Sequence, residues 1–218
     1  MSKDLRKSIH GVAFLISQNF ATRIITFIFN IVLARISSAN LVGSLQTYEL
    51  YYTTILFLSR GCFRMTLIRS SQYKDFQLSV NMTFIPYILF FSIVAFISCF
   101  LDLLNHKLYR LYTLAAGIEI LSEPLYFYFQ KNLLYSVRVR IEGFAIIFQY
   151  IITLLLCFNP INGILDLDSG IFAYAFGQIA YSLSILIGYV FSLCKNMNIS
   201  SIINIFTPRI VYIKGELR

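Results

Sequence analysis

Glu119 and Glu123, in the stretch GIEILSEPLYFYFQKN, stand one helical turn apart in otherwise apolar sequence and are followed at once by Pro124. At positions i and i+4 the two carboxylates share a helix face, and their closeness raises the cost of ionising both. Pro124 frees a backbone carbonyl one turn earlier. Such a segment can offer hydrogen bonds to a polar solute, or it can hold neighbouring helices together; the residues leave both readings open. Arg23 and Glu49 are the other charges set deep within apolar runs. Asn19, Arg23, Thr26 and Asn30 follow an i, i+4, i+7, i+11 course, a polar seam along one helix. Glu49, in LQTYELYYTT, lies in the next apolar run and is the expected partner of Arg23. An ionisable side chain opened to lipid costs at least ~2.5–3.5 kcal/mol, so all four should face protein or a water-filled cavity.

Two basic clusters flank these segments. Arg60 and Arg64 stand one turn apart in LSRGCFRMTLIR, and Arg138 and Arg140 follow Lys131 in QKNLLYSVRVRIEG. Topology signals account for either cluster. A guanidinium pair at a membrane surface also suits a pyrophosphate or lipid phosphate, which it binds in bidentate fashion. The chain has no Gly-rich phosphate loop, and its two histidines, His10 and His106, are far apart. Its four cysteines, Cys62, Cys99, Cys157 and Cys194, lack metal-ligand spacing and read as packing residues. No metal, cofactor or enzymatic chemistry is expected. The net charge of +8 is dispersed in short clusters rather than gathered on one face, which argues against nucleic acid.

The elements that must position these groups are membrane helices. The 218 residues are 58% hydrophobic and 13% charged, where a soluble domain carries about 25% charged residues. Six runs are long enough to cross a hydrocarbon core of ~30 Å as helices. They span residues 12–34, 42–58, 80–101, 108–130, 141–158 and 171–194. Strands of a membrane barrel would be shorter and alternating. The first run exceeds a signal-peptide core and lacks a small-residue cleavage pattern. With no tryptophan in the chain, tyrosines such as Tyr109 and Tyr112 are expected to supply the interfacial belt.

Outside the spans, Lys3, Arg6, Lys7, Arg60, Arg64, Arg69, Lys74, Lys131, Arg138, Arg140, Lys195, Arg209, Lys214 and Arg218 fall on one side. Arg35, Lys107 and Arg110, the last in the first turn of the fourth run, fall on the other, together with Asp166 and Asp168. The positive-inside rule puts both termini in the cytoplasm. Two sequons, at Asn81 and Asn198, then lie on or near the cytoplasmic side and should be unused. The expected organisation is an all-α, six-span bundle over residues 1–194 with a basic cytoplasmic tail or inter-lobe linker at 195–218.

RIITFIFNIVLARISSANLVG, LFLSRGCFRMTLIR, EILSEPLYFYFQKNLLYSVRVRIEG and FAYAFGQIAYSLSILIGYVFSL together resemble the amino-terminal part of the eukaryotic dolichol-linked oligosaccharide translocation family, in order and over nearly the whole chain. That family belongs to the multidrug, oligosaccharidyl-lipid and polysaccharide exporter superfamily. The resemblance implies a multi-pass protein of the endoplasmic reticulum membrane that flips dolichol-pyrophosphate-linked oligosaccharide from the cytosolic to the luminal leaflet for N-glycosylation. A non-transporting scaffold of the glycosylation machinery is the alternative. The matching positions here are Arg23, Arg35, Arg60, Arg64, Glu119, Glu123, Pro124, Gln130, Arg138, Arg140 and Glu142, while Gly61 and Cys62 depart from the pattern of some members. Arg23, Glu49, Glu119 and Glu123 become candidates for the substrate cavity, and Arg60, Arg64, Arg138 and Arg140 for the head-group phosphates. Family members carry roughly twice as many spans in two opposed lobes. The six spans here therefore read as one lobe, expected to face a second copy or a C-terminal half.

Overall fold

The computed structural model describes residues 16–17, 20–32, 35, 39–61, 63–64, 84–100, 106–132, 134–158 and 169–196, and these are all-helical with no strand among them. In chain order they form α1 (Phe20–Val32), α2 (Ala39–Leu56) running into a π turn (Phe57–Gly61), α3 (Ile85–Phe100), α4 (Lys107–Leu121), α5 (Glu123–Lys131), α6 (Tyr135–Phe158) and α7 (Ser169–Asn196). Asn19, Cys62, Arg69, Lys74, both sequons, Asp166 and Asp168 lie outside the described residues, as do residues 1–15 and 197–218. Eight of the 17 basic residues that set the expected orientation are among them.

Among the described residues, two helices are long and apolar enough to cross a membrane: Tyr135–Phe158 and the Gly170–Cys194 portion of α7. At 1.5 Å per residue, the 24 residues of α6 reach about 36 Å. α1 and α3 are apolar but shorter. Only 11% of the apolar window in α6 is buried, and Phe91, Phe100 and Phe191 are each about 70% exposed. An apolar surface of that extent is compatible with lipid, where aromatic and aliphatic side chains need no cover.

Helix α6 begins six residues before the expected span because Arg138 and Arg140 continue the helix rather than precede it. The expected fourth span is two helices, α4 and α5, hinged at Ser122. Pro124 sits at the start of α5, where its missing N–H is no loss. The carbonyls stranded at the hinge find other donors. The Ser122 N–H and hydroxyl both donate to the Glu119 carbonyl, at 3.0 and 2.6 Å, and the Tyr87 hydroxyl of α3 donates to the Leu121 carbonyl at 3.2 Å. Inside a membrane such substitutes make a proline break tolerable.

Helices α6 and α7 form the most extensive pair, and α4 packs next most closely on α7. Ala115, Ala116, Ala145, Ala173 and Ala175 are all fully or almost fully buried, and small residues at crossings let helix backbones approach closely. One core cluster joins α2, α3, α4 and the start of α7. A second joins α5 to the facing ends of α6 and α7. Tyr112 belongs to the first cluster, 4% exposed and stacked on Tyr48, so it packs the interior and is not part of an interfacial belt. Cys99 and Cys194 are exposed free thiols, contrary to the expected packing role.

Candidate functional site

The hinge brings the two carboxylates to a buried position beside the end of α2. Glu119 and Glu123 are 5% and 4% exposed. Glu123 opens α5, where the helix dipole favours a negative charge, whereas Glu119 closes α4, where it does not. Glu119 is compensated from α2 and its π turn: the Tyr52 hydroxyl and Arg60 both donate to it, the arginine Nη2 at 2.5 Å. Arg60 Nη1 reaches Glu123 at 2.9 Å. Arg64 grips Glu123 with a fork, Nε to one oxygen at 3.0 Å and Nη2 to the other at 2.5 Å. Two cations and two anions thus close into a formally neutral cluster.

The π turn is what aligns this cluster. Arg60 lies eight residues beyond Tyr52, which at 3.6 residues per turn would place it roughly 80° around the helix. Bonding from i to i+5 across Phe57–Gly61 unwinds that angle and brings Arg60 onto the face from which Tyr52 meets Glu119.

A second network adjoins the first through one aromatic ring. The Tyr126 ring lies between two guanidinium groups, with the Arg64 carbon 3.8 Å and the Arg138 carbon 4.3 Å from its centroid. Arg138 donates to Glu142 at 2.7 Å and to Gln130 Oε1 at 2.6 Å, and Tyr189 donates to the same carboxylate at 3.4 Å. Each cation–π contact in a partly desolvated setting contributes about 1 kcal/mol. Tyr126→Leu should therefore lower stability by about 1–2 kcal/mol, while Tyr126→Phe, which keeps the ring, should be nearly neutral. Thermal denaturation of the two variants in detergent checks this, and equal losses would reject the ring's role.

Arg60, Arg64 and Glu119 of this cluster line a cavity of about 520 Å³, together with Thr26, Glu49, Gln149, Tyr150 and Gln178. A second cavity of about 330 Å³ shares those five residues and continues past Asn30, Gln46, Tyr112 and Tyr174. The result is a continuous polar groove bounded by α1, α2, α6 and α7. Gln149 and Gln178 bridge α6 and α7 in its wall, with Nε2 donating to Oε1 at 2.8 Å.

The expected site residues thus fall into three sets. Arg60, Arg64, Glu119 and Glu123 come together, and Arg138 joins them through Tyr126. Arg23 and Glu49 are both exposed and form no ion pair with each other among the described residues. The expected Arg23–Glu49 pair is therefore corrected: Glu49 lines the groove, and the arginines that neutralise buried carboxylates are Arg60, in the π turn after α2, and Arg64, just beyond it. Arg140 stands apart, exposed, with its Nε on the Ser136 carbonyl at 3.1 Å and its side chain lining a separate groove between α6 and α7. Among the described residues no group of His, Cys, Asp and Glu is arranged to hold a metal. Tyr52, Tyr126, Gln149 and Gln178 were not singled out from the sequence. The two glutamines carried the same signal as the glutamates, a polar group inside an apolar span.

A family model described as Rft protein matches residues 7–215. Among curated relatives, a Man(5)GlcNAc(2)-PP-dolichol translocation protein RFT1 from Dictyostelium discoideum is 29% identical over 86% of this chain and 37% of its own length. The proteins of the same name from Saccharomyces cerevisiae and Mus musculus are 26% and 24% identical, over 96% and 79% of this chain and 43% and 33% of their own lengths. The chain thus spans about two fifths or less of these relatives. No solved structure matches it. With nearly its whole length inside the family match, this chain belongs to the Rft protein family.

Proposed function

We propose that this chain forms one lobe of a translocation path for dolichol-pyrophosphate-linked oligosaccharide across the endoplasmic reticulum membrane. In this reading it crosses the membrane six times with both termini cytoplasmic, and the polar groove faces a second lobe supplied by another copy or by a C-terminal half. The observation that carries the reading is the groove itself. Stripping a sugar of water without replacing its hydrogen bonds costs several kcal/mol per group, and the groove supplies a continuous run of carboxylate, amide and hydroxyl partners beside helices otherwise suited to lipid. The relatives' name, Man(5)GlcNAc(2)-PP-dolichol translocation protein, supports this cargo class. By the positive-inside rule the arginine end of the groove faces the cytoplasm. There Arg60 and Arg64 can pass from their carboxylates to a pyrophosphate of equal charge.

The test is movement of labelled Man(5)GlcNAc(2)-PP-dolichol across vesicles containing the chain. Wild-type vesicles should transfer the lipid faster than empty ones. Ile146→Trp, which adds bulk to the larger cavity, should slow transfer several-fold without changing protein yield. Transfer equal to that of empty vesicles, both for the chain alone and with a relative's C-terminal half supplied beside it, would reject the reading in favour of a scaffold.

A further inference from the structure

We propose that the end of the groove around Glu49, Gln149 and Gln178 is a subsite for uncharged carbohydrate, separate from the arginine cluster. This inference rests on the translocation reading and assigns its two halves to different chemistry. The smaller cavity has no cationic side chain among its described lining residues, and its one formal charge is the Glu49 carboxylate. Glu49 forms no ion pair among the described residues. A phosphate placed in this smaller cavity would meet the Glu49 carboxylate with no cation among the described lining residues to offset it. An apolar chain would desolvate the carboxylate and the amides without repaying their lost hydrogen bonds.

A sugar hydroxyl both donates and accepts, so it needs a wall that presents both functions. The Gln149–Gln178 bond supplies this. By donating Nε2 to the facing Oε1 at 2.8 Å, Gln149 ties the two amide planes together, so that its own side-chain Oε1 can accept and the Gln178 Nε2 can donate. Those two atoms, on adjoining helices, offer the acceptor and the donor that sugar hydroxyls need. Glu49 adds two further acceptor atoms across the groove. Tyr150 is already oriented, stacked on Phe29 at 4.6 Å and bonded to Thr26, so this wall is organised before any ligand arrives. The groove therefore separates charge along its length: guanidinium groups at one end for a pyrophosphate, and acceptors with an amide pair at the other for a neutral glycan.

The experiment is saturation-transfer NMR on the full chain in lipid nanodiscs, with N,N′-diacetylchitobiose and α-mannobiose as probes. Wild-type protein should give transfer signals for at least one disaccharide. Glu49→Ala and Gln178→Leu should each weaken binding about tenfold, while Leu183→Ala, on an exposed apolar position of α7, should leave it unchanged. Inorganic pyrophosphate should not displace the sugar. Absence of a sugar signal in the wild type, signals indifferent to both Glu49→Ala and Gln178→Leu in variants that elute as wild type, displacement by pyrophosphate, or a response at these residues to sodium alone would each overturn the subsite. The vesicle measurement keeps the two proposals apart. Translocation by the wild type with sugar binding indifferent to Glu49 and Gln178 rejects only the subsite; sugar binding that depends on them without translocation rejects only the translocation reading.

Discussion

Glu123→Ala will destabilise the protein by about 3–5 kcal/mol, the cost of leaving buried cations without their counterion. The size follows from the connectivity. Glu123 takes both arms of Arg64 and one of Arg60, and its own side chain is 5% exposed against 13% and 26% for the two arginines. Its removal strands Arg64 and leaves Arg60 with Glu119 alone. Glu119→Ala should cost less, because Arg60 keeps its bond to Glu123 and the Tyr52 hydroxyl is the only other donor left over. Glu123→Gln retains an acceptor but not the charge and should fall between them. Thermal stability of fluorescent-protein fusions followed by size-exclusion chromatography in detergent ranks the three variants. A Glu123→Ala protein as stable as Glu119→Ala would overturn this account of the cluster.

The same variant discriminates a packing role from a functional one. Replacing the whole cluster with apolar residues of similar volume is often neutral or stabilising for a buried ion network. Glu119→Leu, Glu123→Leu, Arg60→Met and Arg64→Met combined should therefore recover much of the stability lost in Glu123→Ala. If that combined variant also transfers lipid-linked oligosaccharide at the wild-type rate, the cluster is structural only. If it is stable but inactive, the arginines are needed for the cargo.

Glu119 and Glu123 were legible as groups that must avoid lipid, because insertion cost depends only on residue type and surrounding hydropathy. Their partners were not. Arg60 and Arg64 lie 59 to 63 positions away in sequence, and the π turn rotates Arg60 away from where a regular helix would carry it. The Arg23–Glu49 pairing failed for a related reason: helices that adjoin in sequence need not turn their charged faces toward each other. Hydropathy also marked the start of the fifth span at Ile141, since it treats charge as a boundary. The backbone of α6 continues back to Tyr135 because Arg138 is neutralised within the helix by Glu142, one turn on. The end of that helix at Phe158 was legible, as apolar sequence stops there. The hinge in the fourth span was signalled by Pro124, but its repair by Tyr87 from another helix was not.

Gly177 should be the least replaceable glycine described in the α6–α7 interface. A Cβ at this position would collide with Thr153 Oγ1 and would also lie 3.2 Å from the Gln149 carbonyl oxygen and 3.4 Å from Thr153 Cβ. Thr153 is 2% exposed and held by its hydroxyl bond to the Gln149 carbonyl at 2.9 Å, so it has little room to yield. Gly177→Ala must therefore separate the two helices or force Thr153 off its rotamer, at about 1–3 kcal/mol, and Gly177→Leu should cost more. Thr153→Ala removes the colliding oxygen and should restore part of the loss in Gly177→Ala, though not all, because the Gln149 carbonyl stays close. The consequence extends to the groove, since Gln178 is the next residue along α7 and its bond to Gln149 spans the same crossing. If the disaccharide subsite exists, Gly177→Ala should weaken sugar binding and Thr153→Ala should recover it in parallel with thermal stability. Equal stability of Gly177→Ala and wild type would show that the crossing is looser than the packing of α6 on α7 indicates.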